Sequence, residues 1–158
     1  QKTKSIKVQI PAGVQDGMRL RVEGEGEPGE PGARQGDLYV FIFVKSHDEF
    51  ERQDDDLYIT VPVTFTQAVL GDTIKVPTIT GKAQLKVPAG TQPGTYLRMK
   101  GKGMPHVQGS GHGDQYVKIT VEVPKNLTKK QKELVEEFEK ETKGKKPHMR
   151  LFEKLRGR

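Results

Sequence analysis

The 158-residue chain contains no cysteine and no tryptophan. The first absence removes disulfides, thiol catalysis and cysteine-ligated zinc in one step. The second, with aromatic residues at only 6%, leaves little to stack on sugar rings and disfavours a glycan-binding β-sandwich. No apolar run approaches the roughly 20 residues a membrane helix needs, and no leader peptide opens the chain. A soluble, cytoplasmic protein with no membrane partner is the expectation. Catalytic signatures are missing as well: there is no Gly-x-Ser-x-Gly, no phosphate loop and no His-Glu-x-x-His. The four histidines, His47, His106, His112 and His148, lie in or beside polar or Gly/Pro-rich stretches and read as solvated loop side chains. Asp54-Asp55-Asp56 lacks the spaced ligands and terminal Glu of a calcium loop and reads as a solvated turn. The chain is therefore expected to be no enzyme and to need no metal or cofactor.

Charge and turn formers are what it has in quantity. The net charge of +6 suggests nucleic acid at first sight. Its distribution argues otherwise: residues 1–124 hold 15 basic and 15 acidic side chains, and residues 125–158 hold 12 and 6, so the whole excess sits in the tail. A body without net charge is a poor phosphate-tracking surface, and a lysine-rich tail reads first as a solvated helix face. A basic-tailed nucleic-acid-binding module is the rival reading. Gly and Pro number 18 and 10, high for a helical protein but below the level of disorder.

One stretch occurs twice. Pro11 matches Pro88 and Gly26 matches Gly103, a constant offset of 77, and 17 of the 35 pairs from 10/87 to 44/121 are identical. Two copies are too few for a solenoid, so tandem sibling domains are expected. Within the first copy, residues 5–10 alternate apolar and polar like a half-buried strand, and residues 18–22 alternate again. Residues 37–45 are apolar on both faces, which predicts a central strand of a sandwich. Gly13/Gly90, Gly17/Gly94 and Gly24/Gly101 fall where turns need positive φ. The second copy predicts a strand over 57–65, with Pro62 demanding an edge or bulge, and one helical turn over 66–71 closed by glycine. Strands over 73–77, 82–87 and 115–123 follow.

After Pro124, Thr128 and Gln131 have capping-box spacing ahead of the stripe Leu134, Val135, Phe138; a second amphipathic segment spans 148–155. Helices this short need something to cover their apolar side. The period also implies that the chain begins midway through its first unit. The organisation expected is residues 1–45, the second half of a first β-sandwich; 46–124, a second β-sandwich; and 125–158, a helical segment. Leu20 and Val22, like Leu97 and Met99, share one face of equivalent strands. They are either ordinary core or a shallow groove beside a sheet edge, where an extended peptide could pair.

Several stretches together closely resemble the carboxy-terminal region of DnaJ co-chaperones. They are Pro-Ala-Gly-Val-Gln-Asp-Gly and Arg-Leu-Arg-Val-Glu-Gly-Glu-Gly within 11–26, Gly-Asp-Leu-Tyr-Val (36–40), His-Asp-Glu-Phe-Glu-Arg-Gln-Asp-Asp-Asp-Leu (47–57), Ala-Val-Leu-Gly-Asp (68–72), Val-Pro-Thr-Ile-Thr-Gly (76–81) and Gly-Lys-Gly-Met-Pro (101–105). The resemblance covers about residues 2–135. It implies an all-β protein of two small sandwiches, the first incomplete, that bind unfolded polypeptide clients, followed by a helical segment that makes a homodimer. By the same resemblance Leu20, Val22, Leu97 and Met99 would line the client grooves. Leu134, Phe138, Leu151, Phe152 and Leu155 would make the subunit contact. The family's helical domain, whose His-Pro-Asp triplet stimulates the DnaK-type ATPase, is absent here, and so is its Cys-x-x-Cys zinc module. A DnaK-type partner and zinc are thus expected of the full-length family member only.

Overall fold

The structure, a computed structural model, describes residues 3–144 and 146–157. It divides into two compact units, one up to Glu122 and one from Val123. In the first unit the strands are β1 (Arg19–Val22), β2 (Leu38–Phe41), β3 (Glu51–Gln53), β4 (Asp56–Thr64), β5 (Asp72–Thr78), β6 (Gly81–Val87), β7 (Tyr96–Met99) and β8 (Gln115–Glu122), with one short helix, α1 (Phe65–Leu70). Helices α2 (Lys129–Glu141) and α3 (Pro147–Arg156) make up the second. The protein is thus mostly β-sheet with short helices near its C-terminus.

The second copy of the repeat is a two-layer sandwich. One layer is the sheet β3-β4-β8-β7, in which β4 and β8 run parallel, and the other is the antiparallel hairpin β5-β6. Alternation puts Ile59 and Val63 of β4, Val117 and Ile119 of β8, Val76 of β5, and Leu85 and Val87 of β6 into one core, joined by Ala68 of α1. Gln115, fully buried, crosses between the layers and donates to the Pro77 carbonyl at 2.9 Å. Helix α1 starts at a capping box: Gln67 N–H donates to Thr64 Oγ1, and Gln67 Oε1 accepts from Thr64 N–H. It stops at Gly71, whose φ of +80° and close approach to the Ala89 backbone leave no room for a Cβ. Pro62 lies past the three residues that β3 covers, on a stretch of β4 with a strand neighbour on one side only, as a missing N–H requires.

The first copy keeps only part of this plan. β1 pairs with β2 from Arg19↔Phe41 to Val22↔Leu38, and β7 pairs with β8 from Tyr96↔Lys118 to Met99↔Gln115, the same register displaced by 77 residues. Two expectations fail here. Residues 5–10 form no strand; their equivalent, β6, is held by β5, and the described chain offers them no counterpart of β5. The strand expected over 37–45 is shortened to β2 and is not central: β1 is its one strand neighbour, whereas β8 also has β4. Its second apolar face, Tyr39, Phe41 and Phe43, is exposed, Phe43 by 83%.

In the unit from Val123, Thr128 and Gln131 form the expected capping box on α2. Thr142 closes the helix by donating its hydroxyl to the Phe138 carbonyl. Pro147 opens α3, where a first-turn residue needs no N–H partner. Neither helix buries a residue. Among the described residues no helix is long and apolar enough to cross a membrane.

Candidate functional site

Both copies build one strand–loop–strand device from equivalent atoms. In the first, Asp37 accepts from Gly24 N–H at 3.0 Å and pairs with Arg21 at 2.6 Å. In the second, Asp114 accepts from Gly101 N–H at 2.8 Å and pairs with Arg98 at 3.7 Å. The Gly24 N–H, and after it the Arg21 guanidinium, hold the Asp37 carboxyl below the usual carboxylate range, and Asp37 in turn holds Arg21 up. The glycine N–H can face inward because φ is +68° at Gly24 and +70° at Gly101, conformations that a side chain resists. The clamp fixes the ends of β1 and β7, both edge strands of their sheets.

On those strands the four groove candidates alternate inward. Leu20 and Val22 of β1 are half-buried. Leu97 of β7 is half-buried and packs against the core cluster, and Met99 belongs to that cluster with 7% exposure. Met99 also floors a shallow groove of about 410 Å³ between β6 and β7, with Ala83 and Leu85 beneath it and Arg98, Lys100 and Lys102 along its rim. β1 and β7 belong to different sheets, so the two pairs form two separate sites.

The subunit-contact candidates are all exposed. Leu134 and Phe138 lie on α2, and Leu151, Phe152 and Leu155 lie on α3; each is at least half accessible. Lys146 and Glu139 pair at 3.4 Å. Among the described residues no group of three or more His, Asp or Glu could hold a metal ion.

The acidic triplet is not a freely solvated turn. Asp54 takes a left-handed φ of +53°, Asp56 accepts from Asp114 N–H at 2.7 Å, and Asp55 meets His106 Nδ1 at 2.7 Å. His106 is accordingly a structural partner rather than a loose loop histidine. His47 is likewise engaged, its Nδ1 accepting from the N–H groups of Glu49 and Phe50.

Sequence reasoning also missed a cleft of about 1140 Å³ whose walls include Asp16, Phe50, Tyr58, Ile79, Tyr96 and Lys118. Tyr58 stacks on Tyr116 at 5.1 Å and meets Tyr96 edge-on at 6.1 Å. Burial and neighbouring Asp56 push the Tyr58 phenol up. The tyrosines occupy outward positions of three strands, so an alternation pattern suggests a wet face but not that the three rings meet.

Comparison with known proteins agrees with this geometry. Residues 1–124 match the family described as the DnaJ C terminal domain. The chain is 53% identical to a chaperone protein DnaJ of Parageobacillus thermoglucosidasius over 156 residues, 97% of this chain and 41% of that protein. Against the namesakes of Clostridioides difficile (strain 630) and Listeria welshimeri the identity is 54% and 57%, over 89% and 87% of this chain and 36% of each relative. The chain thus spans about two fifths of the length of the curated relatives it matches.

Proposed function

Because this chain belongs to the DnaJ C-terminal domain family, we propose that it captures non-native polypeptide segments for a DnaK-type chaperone and carries out no chemistry of its own. One observation supports this reading most: β1 and β7 are short edge strands whose inward apolar residues Leu20, Val22 and Leu97 are only half covered. An extended segment laid beside such an edge gains backbone hydrogen bonds and puts alternate side chains over the half-open positions. Each apolar side chain so covered contributes about 1.5–3 kcal/mol before ordering costs are subtracted. Met99 acts from below, as the floor against which the segment lies. Contacts of this size hold a client without trapping it.

The helices α2 and α3 serve a second copy of the chain in this reading. Leu134, Phe138, Leu151, Phe152 and Leu155 form apolar stripes that are at least half accessible, and a partner protomer would cover them. Two protomers then offer several weak sites to one client, which raises the local concentration of each site for the next segment. This chain has no cysteine, so in this reading a cysteine-held zinc belongs to other parts of the longer relatives.

The test is suppression of aggregation of a chemically unfolded client. Leu20→Asp with Leu97→Asp should remove most of the protection while circular dichroism stays that of the parent; undiminished protection would refute the reading. Raising salt from low to moderate should change the parent's protection little. A steep loss would favour phosphate-type binding by the basic tail.

A further inference from the structure

Arg52 of β3 joins the two copies of the repeat. Its Nη1 donates to the Val14 carbonyl at 2.9 Å and its Nη2 to the Gly13 carbonyl at 2.8 Å. Its Nε donates to the Asp54 carbonyl at 2.6 Å, so the planar fork is used on both sides. Among the described residues, the side-chain hydrogen bonds that cross from the second copy to the first come from this guanidinium alone. Asp55 stands behind it at 3.8 Å and is itself held by His106 Nδ1 at 2.7 Å. On the other side of the seam a Cβ on Gly13 would lie 2.0 Å from the Pro105 carbonyl oxygen, and Gly13 has φ of +79°. Only glycine allows the first copy's turn to lie against the loop that carries His106.

The same turn in the second copy is held differently. Gly90 and Thr91 donate their N–H groups to the Ala68 carbonyl at the end of α1, inside their own sandwich. The repeat therefore departs from its symmetry at this turn as well: a turn that one copy anchors to its own helix, the other anchors to its sibling's arginine. A guanidinium on two consecutive carbonyls fixes orientation as well as distance, because both N–H vectors are set by one rigid plane.

We infer that Arg52, backed by Asp55 and His106 and seated against Gly13, is a positioning residue that holds the β1 edge at one set distance and angle from the β7 edge. This inference rests on the proposed reading of those edges as client sites, and it adds that a client carrying two apolar segments is measured against a fixed span. Linked sites gain roughly 10²–10⁴-fold when the linker suits their separation. Releasing the seam spreads that separation and lowers the gain without touching either site.

Two measurements on the full chain test this. The chain has no cysteine, so spin labels at Arg19→Cys and Lys82→Cys report one distance between the copies. The probes are a peptide with one apolar segment and a peptide with two such segments joined by a flexible spacer. With Arg52→Ala the distance distribution should broaden, the one-segment affinity should stay within twofold, and the two-segment gain should fall about tenfold or more. Arg52→Lys, which keeps the charge but loses the fork, should fall between. If Arg52→Ala fails to fold, Gly13→Ala opens the seam from the other side and should broaden the distribution in the same way. An unchanged distribution with an unchanged gain overturns the inference. A parent chain that binds the one-segment peptide but shows no two-segment gain also overturns the inference. A parent chain that binds neither peptide sinks the client reading instead, and the distance distribution then decides the seam by itself.

Discussion

Met99 shows how one side chain can belong to a core and to a surface at once. At 7% exposure it is packed among Val117, Leu85 and their neighbours, yet its outer atoms floor the groove beside β6. Truncating it removes core contacts as well as floor. Met99→Ala should therefore cost about 2–5 kcal/mol of stability, read as a lower urea midpoint with the slope unchanged. A midpoint unchanged from the parent would mean that the thioether is not part of the core. Leu97, half covered one pleat away, should cost much less on truncation and matter more for binding. The sequence singled out both residues through their place in the repeat. It could not separate them, because alternation reports which face a side chain is on and not how deep that face lies. His106 and Asp55 were illegible for a different reason. Their pairing spans 51 positions and has no spacing rule, and only the folded loop brings an acidic turn against a glycine-rich one.

Among the elements, the edge strands and the two tail helices carry the proposal. β4, β5, β6 and β8 were legible from alternation and turn residues, and α1 from its glycine stop. Residues 5–10 have the pattern of a strand and are not one, because a strand exists only when another pairs with it. The same cause leaves β2 with one strand neighbour where its equivalent β8 has two; Tyr39, Phe41 and Phe43 are exposed on a face that also points outward in the second copy. For α2 and α3 the capping box and apolar stripes read directly from the sequence, and what covers the stripes did not. Phe152→Glu with Leu155→Glu puts two charges on the exposed apolar side of α3. If a second copy covers that side, light scattering should give the mass of one chain for the variant and of two for the parent. Equal masses for variant and parent would assign the stripe to some other contact.

At the level of the whole chain, duplication explains most of what is seen. An identical hairpin register, equivalent aspartate clamps and matching positive-φ glycines all follow from one ancestral unit written twice. The departures from that symmetry are the informative part: a seam at Arg52, and an exposed aromatic face on β2. In the proposed reading, function enters through edges rather than cavities, which would suit a protein that holds many different segments loosely. The most direct measurement is amide shift mapping on the full chain during titration with an unfolded polypeptide. Perturbations should gather on β1 around Leu20 and Val22 and on β7 around Leu97. A client that binds while leaving both strands unperturbed would contradict the account.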